Sequence, residues 1–486
     1  MRFWTTIGLI LVLSAVGLTY EIAAGRVLAP FFGTSLVTWT SVIATILAGF
    51  SLGSALGGLV AERERGAAVR AVRAALVATA VLMALSPTVL GLIYALGARD
   101  TWGMLLAVVV AFFPASVLVS YPSPFLAKLA VEARPGREGS SLGLILAAGS
   151  LGAIVGAILA GFVALPLAGS VATFAGCGAA MLLCVPLIRG DTGGGLARNP
   201  KSILSVGAAT VIVAATLASG PVCRYESGLS CIDVLRQGDA VYLYSDRTQQ
   251  AAERSTPEGE AADPLVLPYT QWIWARMDRD LGPAPSVLFI GGGGYSLPGK
   301  LLEARPAAQA VAVEIDPLIT RVVERHLPWA GAMIDKAGYD AAGGTPGEAE
   351  RRLGIVHEDG RVYLNQTDRR FDAAVMDAFS SGSVPAHLAT RETYDRLRSI
   401  FDGPVYVNLI DAPDGPLVRG IHAILADLYP HVAAVQGPVS RRGRTNILLA
   451  ASARPFADVT LPQGYAAVTV APGRAFTDDR GWVGHR

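Results

Sequence analysis

Residues 286–317 read SVLFIGGGGYSLPGKLLEARPAAQAVAVEIDP. Ser286 to Ile290 is an apolar run with the length of a buried strand. Gly291 to Gly294 follow as a turn in which no Cβ obstructs an approaching ligand. Leu301 and Leu302 suit the apolar side of a helix, and Pro306 stands past its end. Ala310 to Val313 is a second apolar run, closed by Glu314 and Asp316. An acid about twenty residues after a glycine turn can accept hydrogen bonds from both hydroxyls of a ribose. Four glycines alone make a common loop. Strand, glycines, helix and acid at this spacing together point to a nucleoside site.

The surrounding chain has 486 residues, too many for one ordinary domain. Hydrophobic residues make up 52% and charged residues 16%, and the mean hydropathy is +0.45. Those values belong to membrane proteins, yet the apolar residues are uneven: long uncharged runs fill the first 220 positions and ordinary globular sequence fills the rest. With a net charge of +1 and no Lys/Arg-rich run, nothing suggests nucleic acid as a partner. Cys177 and Cys184 lie in an apolar run and read as buried packing residues. Cys223 and Cys231 flank a polar stretch and read as a local disulfide if the segment faces an oxidising compartment, otherwise as two thiols. With no CxxC and only scattered histidines (His326, His357 and His387, read as surface or loop residues), no metal site is expected.

A bilayer core needs about 20 apolar residues per helix. Seven runs qualify: Trp4–Thr19, Leu36–Val60, Val69–Leu96, Met104–Ser120, Leu142–Leu165, Ser170–Ile188 and Ile203–Ser219. The first reads as a retained signal-anchor helix, because six more follow. Gly149, Ala153 and Ala157, and likewise Gly152, Gly156 and Ala160, are four apart, so helix backbones should approach closely. Glu21 and Arg26 are expected in the loop after the first run, which leaves no acid or base in mid-span and disfavours an ion-coupled transporter. With seven spans, most loop Lys and Arg residues fall on the N-terminal side: Arg63, Arg65, Arg70, Arg73, Lys128, Arg134, Arg137, Arg189, Arg198 and Lys201. The other side's loops hold Arg26 and Arg99. The rich side is read as cytoplasmic, which makes this a multi-pass inner-membrane protein, in contact with lipid, whose later domain lies on the periplasmic side. One span more or fewer reverses that side.

Residues 224–486 alternate strand-like and helix-like segments. Ile232–Leu235 and Ala240–Ser245 suit a small antiparallel unit, and the polar stretch Asp246–Asp263 reads as a connection. A helix at Leu267–Leu281 precedes an open, mainly parallel α/β sheet. The organisation expected is therefore a transmembrane helical bundle over 1–220, a small β unit and connection over 221–265, and a Rossmann-like nucleoside-binding domain over 266–486. Ligands of such sheets bind at the carboxyl ends of the strands. The glycines, Glu314, Asp359 and Asp377 all fall at predicted strand ends.

Five blocks in this order, VLFIGGGG, VAVEIDP, VHEDGRVYL, FDAAVMDAFS and PAHLATRETYDRLR, resemble the spermidine synthase family of aminopropyltransferases over about residues 232–410. The whole chain resembles bacterial membrane proteins in which a multi-span region is fused to such a domain. The resemblance implies a class I S-adenosylmethionine-type fold preceded by a small β domain. It implies that Gly291, Gly292 and Gly293 lie against the sulfonium and methionine-derived part of the ligand, with Gly294 completing the turn. It implies that Glu314 takes the ribose hydroxyls, that Ile315 packs on adenine, and that Asp359 with Gly360 reads the adenine amino group. Asp377 then matches the catalytic acid that takes a proton from the attacking amine, Tyr269 lies near that amine, and Gln250 faces the ligand. Plainer readings stand beside these: Asp359 as a helix N-cap or turn acid, Asp377 as a strand-end cap, Tyr269 as a packing aromatic, Gln250 with no site role, and Glu314 and the glycines as structural. The chain departs from the family at Gly294 and Ser380, where the family has acids, and at Thr270, where it has His or Gln.

The function implied is cleavage of the sulfur–Cγ bond of S-adenosylmethionine or its decarboxylated form, with release of 5'-methylthioadenosine and transfer to a polyamine acceptor. The alternatives are an acceptor-independent lyase and a non-catalytic nucleoside sensor that regulates the membrane region. No cofactor beyond the sulfonium co-substrate is implied, and homo-oligomerisation stays open.

Overall fold

The computed structural model describes residues 2–33, 36–98, 100–189, 200–218, 220–255, 261–337, 352–378, 385–440 and 443–479. The chain forms two compact units, Met1–Cys231 and Ile232–Arg486.

The first unit is helical. Its helices are α1 (Phe3–Phe32), α2 (Leu36–Ala61), α3 (Arg65–Ala95), α4 (Thr101–Ser120), α5 (Ser123–Glu132), α6 (Glu138–Ile158), α7 (Leu165–Cys184) and α8 (Pro200–Ala218); a short strand, β1 (Tyr225–Glu226), follows. The apolar runs read from the sequence fall mainly on these helices, although Leu142–Leu165 passes from α6 through a π-helical segment (Leu159–Ala164) to the start of α7, and Ser170–Ile188 runs past the end of α7. Among the described residues, five helical stretches are long and apolar enough to cross a membrane. The two counts differ because Glu138–Leu187 holds two of the runs, parted at Gly169 (φ +78°), and because the last helix is short. Small residues bring α1 and α6 together: a Cβ on Gly152 or Gly156 would sit 2.2 Å from the carbonyl oxygen of Leu11 or Ala15. Glu21 and Arg26 are not in a loop. They lie inside α1, because nothing breaks the helix before Pro30 and it ends only at Gly33 (φ +80°).

The unit has two distinct ends. At one, the Arg134 guanidinium lies over the rings of Phe3 and Trp4 at 3.6 and 5.2 Å. Nearby in chain order, Lys128 Nζ donates to the Ala61 carbonyl (2.7 Å) and Arg73 donates to the Ile188 carbonyl (2.9 and 2.6 Å). The other end lies about 35 Å along α1, at 1.5 Å per residue. There the buried Arg26 donates twice to the Ser227 carbonyl (3.2 Å each), and Glu226 accepts from the N–H (3.0 Å) and hydroxyl of Ser170. Cys223 and Cys231 are joined as a disulfide, while Cys177 and Cys184 are buried thiols.

The second unit opens with an antiparallel meander, β2 (Cys231–Gln237), β3 (Ala240–Ser245), β4 (Thr248–Ser255) and β5 (Ala261–Asp263). The polar stretch expected to be a connection is therefore largely β4 and β5. Its composition misleads because Ala251, Ala252 and Glu253 are buried, and the Glu253 carboxylate accepts the N–H groups of Trp329 (2.6 Å) and Ala330 (3.1 Å) at a helix start.

The remaining elements are α9 (Pro268–Asp280), β6 (Ser286–Ile290), α10 (Ser296–Ala304), β7 (Gln309–Val313), α11 (Pro317–His326), α12 (Pro328–Ala337), β8 (Leu353–Val356), α13 (Gly360–Gln366), β9 (Ala373–Met376), α14 (Arg391–Ile400), β10 (Val405–Asp411), α15 (Pro416–Leu428), β11 (His431–Gln436), β12 (Thr445–Ser452) and β13 (Ala466–Ala467). They build an eight-stranded sheet in the order β13-β11-β12-β10-β9-β6-β7-β8. Strands β8, β7, β6, β9 and β10 are parallel, and β12, β11 and β13 continue the sheet antiparallel. The chain runs outward from β6 to β8 and returns to β9 on the other side of β6. That reversal is the switch point at which open sheets of this kind leave a crevice.

Candidate functional site

The crevice lies at the ends of β6 and β9. Strand β6 leaves the sheet at Gly291, whose φ is +101° and whose added Cβ would sit 2.2 Å from the Asp377 carbonyl oxygen. Only glycine meets both demands. The next two N–H groups turn toward β7: Gly292 and Gly293 donate to Glu314 Oε2 at 3.0 and 3.2 Å, and Asp316 N–H donates to Oε1 at 3.0 Å. Burial pushes the Glu314 carboxyl up from its ordinary range, and these backbone donors pull it back. Ile315, beside it, is 49% exposed, a large apolar side chain left open at the strand end.

Asp377 follows β9, and its N–H donates to the Ile290 carbonyl (2.8 Å), which fixes it against β6. Its Oδ1 accepts from Asn408 Nδ2 (2.8 Å) on β10, and Asn408 Oδ1 in turn accepts from Asn446 Nδ2 (2.9 Å) on β12. The Tyr269 hydroxyl on α9 donates to the Gln250 carbonyl (3.3 Å) and lies close enough to Asp377 to turn its hydrogen there instead. Part of the Asp377 surface is accessible, but protein surrounds its carboxyl, and burial pushes it up to about 7. The Asn408 and Tyr269 donors oppose that rise, and the charge of Glu314 adds to it. Burial, and after it the charge of Asp377, holds the Tyr269 phenol well above its ordinary range. A carboxyl near 7 beside a glycine turn can accept a proton at neutral pH.

A cleft of about 400 Å³, part of it open solvent, takes in Gln250, Tyr269, the four glycines Gly291–Gly294 and Asp377. Glu314, Ile315, Asp359 and Gly360 lie outside that lining, at the ends of β7 and β8. Asp359 Oδ1 caps α13 through the N–H groups of Arg361 (2.8 Å) and Val362 (3.2 Å), and its Oδ2 meets His387 Nε2 at 2.9 Å. Gly360 packs on Ile290, whose Cγ2 would stand 2.6 Å from an added Cβ.

Several participants escaped the sequence reading. Asn408 and Asn446 sit among apolar strand residues, and only their position at the sheet's carboxyl end marks them. His387 is not a bare loop residue, since it engages Asp359. His357 is likewise engaged: its Nε2 is 2.9 Å from Thr320 Oγ1, which is 2.6 Å from the buried Tyr295 hydroxyl. Tyr295 holds φ +55° directly after the glycines. Thr270 is buried and donates to the Leu267 carbonyl (2.7 Å). Ser380 lies outside the described residues.

No family model matches the chain. Among curated proteins it is 27% identical over 454 residues to polyamine aminopropyltransferase 2 of Streptomyces coelicolor, covering 88% of this chain and 75% of that protein. It is 32% identical over 147 residues to the polyamine aminopropyltransferase of Vibrio vulnificus, covering 29% of this chain but 42% of that protein. Among solved structures, a probable spermidine synthase from Corynebacterium glutamicum superposes with a TM-score of 0.39 at 18% identity, over 49% of this chain and 82% of that one. That superposition is too loose to carry further weight. The sequence similarities, one of them running through the helical unit as well, are to proteins named polyamine aminopropyltransferases.

Proposed function

We propose that the second unit binds a sulfonium nucleoside of the S-adenosylmethionine type and transfers its three-carbon chain to an amine. The observation that carries this is the shared cleft: the glycine turn and Asp377 face one space, with Asp377 raised to about 7. The neutral amine nitrogen attacks the chain carbon bonded to sulfur. The carbon–sulfur bond breaks, its electron pair stays on sulfur, and neutral methylthioadenosine leaves. The amine proton passes to Asp377. The sulfonium is already a good leaving group, so the protein needs only to position the reactants and take this proton. Glu314 accepts from the ribose hydroxyls, offering two acceptor oxygens to two donors. Ile315 covers one face of adenine, and Asp359 receives the adenine amino group on a lone pair not used in capping α13. Tyr269 orients Asp377 and the incoming nitrogen, and Gln250 flanks the donor chain.

The helical unit is embedded in a membrane with seven spans and its N-terminus in the cytoplasm. Its two ends support this. Seven spans put Phe3, Ala61, Arg73, Lys128, Arg134 and Ile188 on one side and Arg26, Ser170 and Ser227 on the other, which is how the contacts pair them. The first side carries the Lys and Arg residues and the second the disulfide, as expected for cytoplasmic and oxidising faces.

The test is methylthioadenosine release by the purified full chain, from the decarboxylated sulfonium with and without an amine. Release that requires both, and is abolished in Asp377→Asn while nucleoside binding persists, is the expected result. Release from S-adenosylmethionine alone would replace transfer by a lyase reaction. Binding without product would make the unit a sensor. A reporter fused after Arg486 checks the side.

A further inference from the structure

Resting on the reading of Asp359 as the acceptor for the adenine amino group, we propose that a residue distant in sequence, Asp478, sets base selectivity by holding Arg361 and His387 around Asp359. The Asp359 carboxylate is gripped from two sides. Its Oδ1 accepts the N–H groups of Arg361 (2.8 Å) and Val362 (3.2 Å), and its Oδ2 lies 2.9 Å from His387 Nε2. An ionised carboxylate has no hydrogen to give, so the imidazole is the donor. Three donors fix the plane of the carboxylate and leave acceptor capacity on Oδ2 for one more. Leu388, the next residue, stands 3.5 Å from a Cβ added to Gly360, so the turn Ala386–Leu388 walls the same corner.

Arg361 holds His387 in place. Its Nη1 donates to the His387 carbonyl (3.2 Å) and the Thr390 hydroxyl (3.3 Å). It also meets the Thr393 hydroxyl, which itself donates to the His387 carbonyl. Arg361 therefore serves Asp359 twice. Its backbone binds one carboxylate oxygen, and its side chain fixes the residue that binds the other. A guanidinium is planar, so a bond at one end aims the other. Asp478 supplies that bond from 117 positions away: its Oδ2 accepts from Arg361 Nη2 (2.8 Å) and its Oδ1 from the Thr390 hydroxyl (2.7 Å). The segment that carries Asp478 is fastened separately. Its own N–H donates to Glu392 Oε2 (3.1 Å), and the Phe476 carbonyl accepts the Arg391 N–H (2.8 Å). The buried Phe476 ring packs on Gly420, where an added Cβ would sit 2.1 Å from Cε2. Adenine presents an amino group that donates to Asp359. Hypoxanthine presents an oxo group at the same place, which can only set lone pair against lone pair. A carboxylate held in one plane separates the two bases, and one free to turn away separates them less.

The experiment is calorimetry on the full chain in detergent with methylthioadenosine and with methylthioinosine, its oxo counterpart. The wild type should prefer methylthioadenosine by at least about tenfold, the order of one hydrogen bond to a charged acceptor. Asp478→Ala should cut that preference by about threefold or more, as suits an ion pair partly open to water. His387→Leu should cut it too, and His387→Gln, whose amide keeps a donor, should restore most of it. The double variant Asp478→Ala with His387→Leu should lose no more than the larger single loss, because both cut one path. A wild type that binds the two nucleosides equally overturns Asp359 as the adenine reader, and this inference with it. A wild-type preference that survives Asp478→Ala overturns the role of Asp478 and leaves Asp359 standing. Equal weakening of both nucleosides in Asp478→Ala makes it a support of the fold, which also overturns the inference. Additive losses in the double variant would show that Asp478 does not act through His387.

Discussion

Asn408 offers the sharpest test of how Asp377 works. Its Nδ2 donates to Asp377 Oδ1 at 2.8 Å, and that donor is one of two that hold the carboxyl down against burial, leaving it at about 7. A hydrogen bond to a charged group contributes about 1.5–3 kcal/mol. At 1.36 kcal/mol per unit, removing it in Asn408→Leu should raise the carboxyl by about 1–2 units, to about 8–9. The free enzyme's base must be deprotonated to act, so wild-type kcat/KM should rise with pH and level off above about 7. In the variant the same limb should move to about 8–9. At pH 7 the deprotonated fraction falls from about half to between about a tenth and a hundredth, a loss of roughly 5- to 50-fold. Above that limb the activity should return, because the base is present and slightly stronger. The assay is initial-rate methylthioadenosine release from pH 5.5 to 10. A loss of the same factor at every pH would refute the reasoning, since it would make Asn408 a packing residue that does not tune the base.

Three further outcomes follow from the same geometry. The folded-state value of Asp377 lies above the ordinary carboxyl value of 3.8, so its ionisation opposes folding: the penalty is absent below about pH 4, grows through about 7 and is full above it. Asp377→Asn should therefore stabilise the fold relative to wild type, read as a higher thermal midpoint, more at pH 8 than at pH 5, the difference being up to about 2.6 kcal/mol less whatever the cleft's partial access to water screens; an equal change at both pH values would contradict the assignment. Glu314→Gln should weaken methylthioadenosine binding by about 10- to 100-fold in calorimetry, the loss of a charge-assisted acceptor, and should weaken a ribose-modified analogue lacking both hydroxyls far less; equal losses would mean that Glu314 serves only the glycine turn. With Cys223 and Cys231 paired and Cys177 and Cys184 buried, a membrane-impermeant maleimide should add nothing to the native chain and should add two adducts after mild reduction; adducts without reduction would refute the pairing.

Much of the second unit was legible because its candidate site is tied to local order. The glycine turn, Glu314, Asp359 and Asp377 each close an apolar strand, and a parallel sheet gathers such closures on one edge. What escaped was set by partners distant in sequence. Strand β4 looks polar because half its residues face outward, and its buried acid is satisfied by backbone N–H groups some 76 positions away. Ala251 is an ordinary alanine until it stands against Gly294, where an added Cβ would sit 2.2 Å from the Ala251 Cβ. Asn408 and Asn446 meet only because β10 and β12 pair antiparallel with Asn408 opposite Leu448 and Asn446 opposite Ile410, two residues along on the same face. In the helical half, hydropathy located the long helices but missed the short α5 (Ser123–Glu132) and misplaced Glu21 and Arg26, because two charged residues interrupt an apolar count without interrupting a helix.

The Arg26 bond to Ser227 has a consequence for how the protein is made. The two residues are 201 positions apart, and Arg26, on α1, is made well before Ser227. At synthesis rates of about 5–20 residues per second, the Ser227 carbonyl appears about 10–40 s after Arg26. The Glu226 cap on Ser170 and the Cys223–Cys231 disulfide belong to the same late event. The helical unit therefore waits on its last residues to fasten its first, and a chain truncated before Cys223 should be cleared in cells faster than one truncated after Cys231.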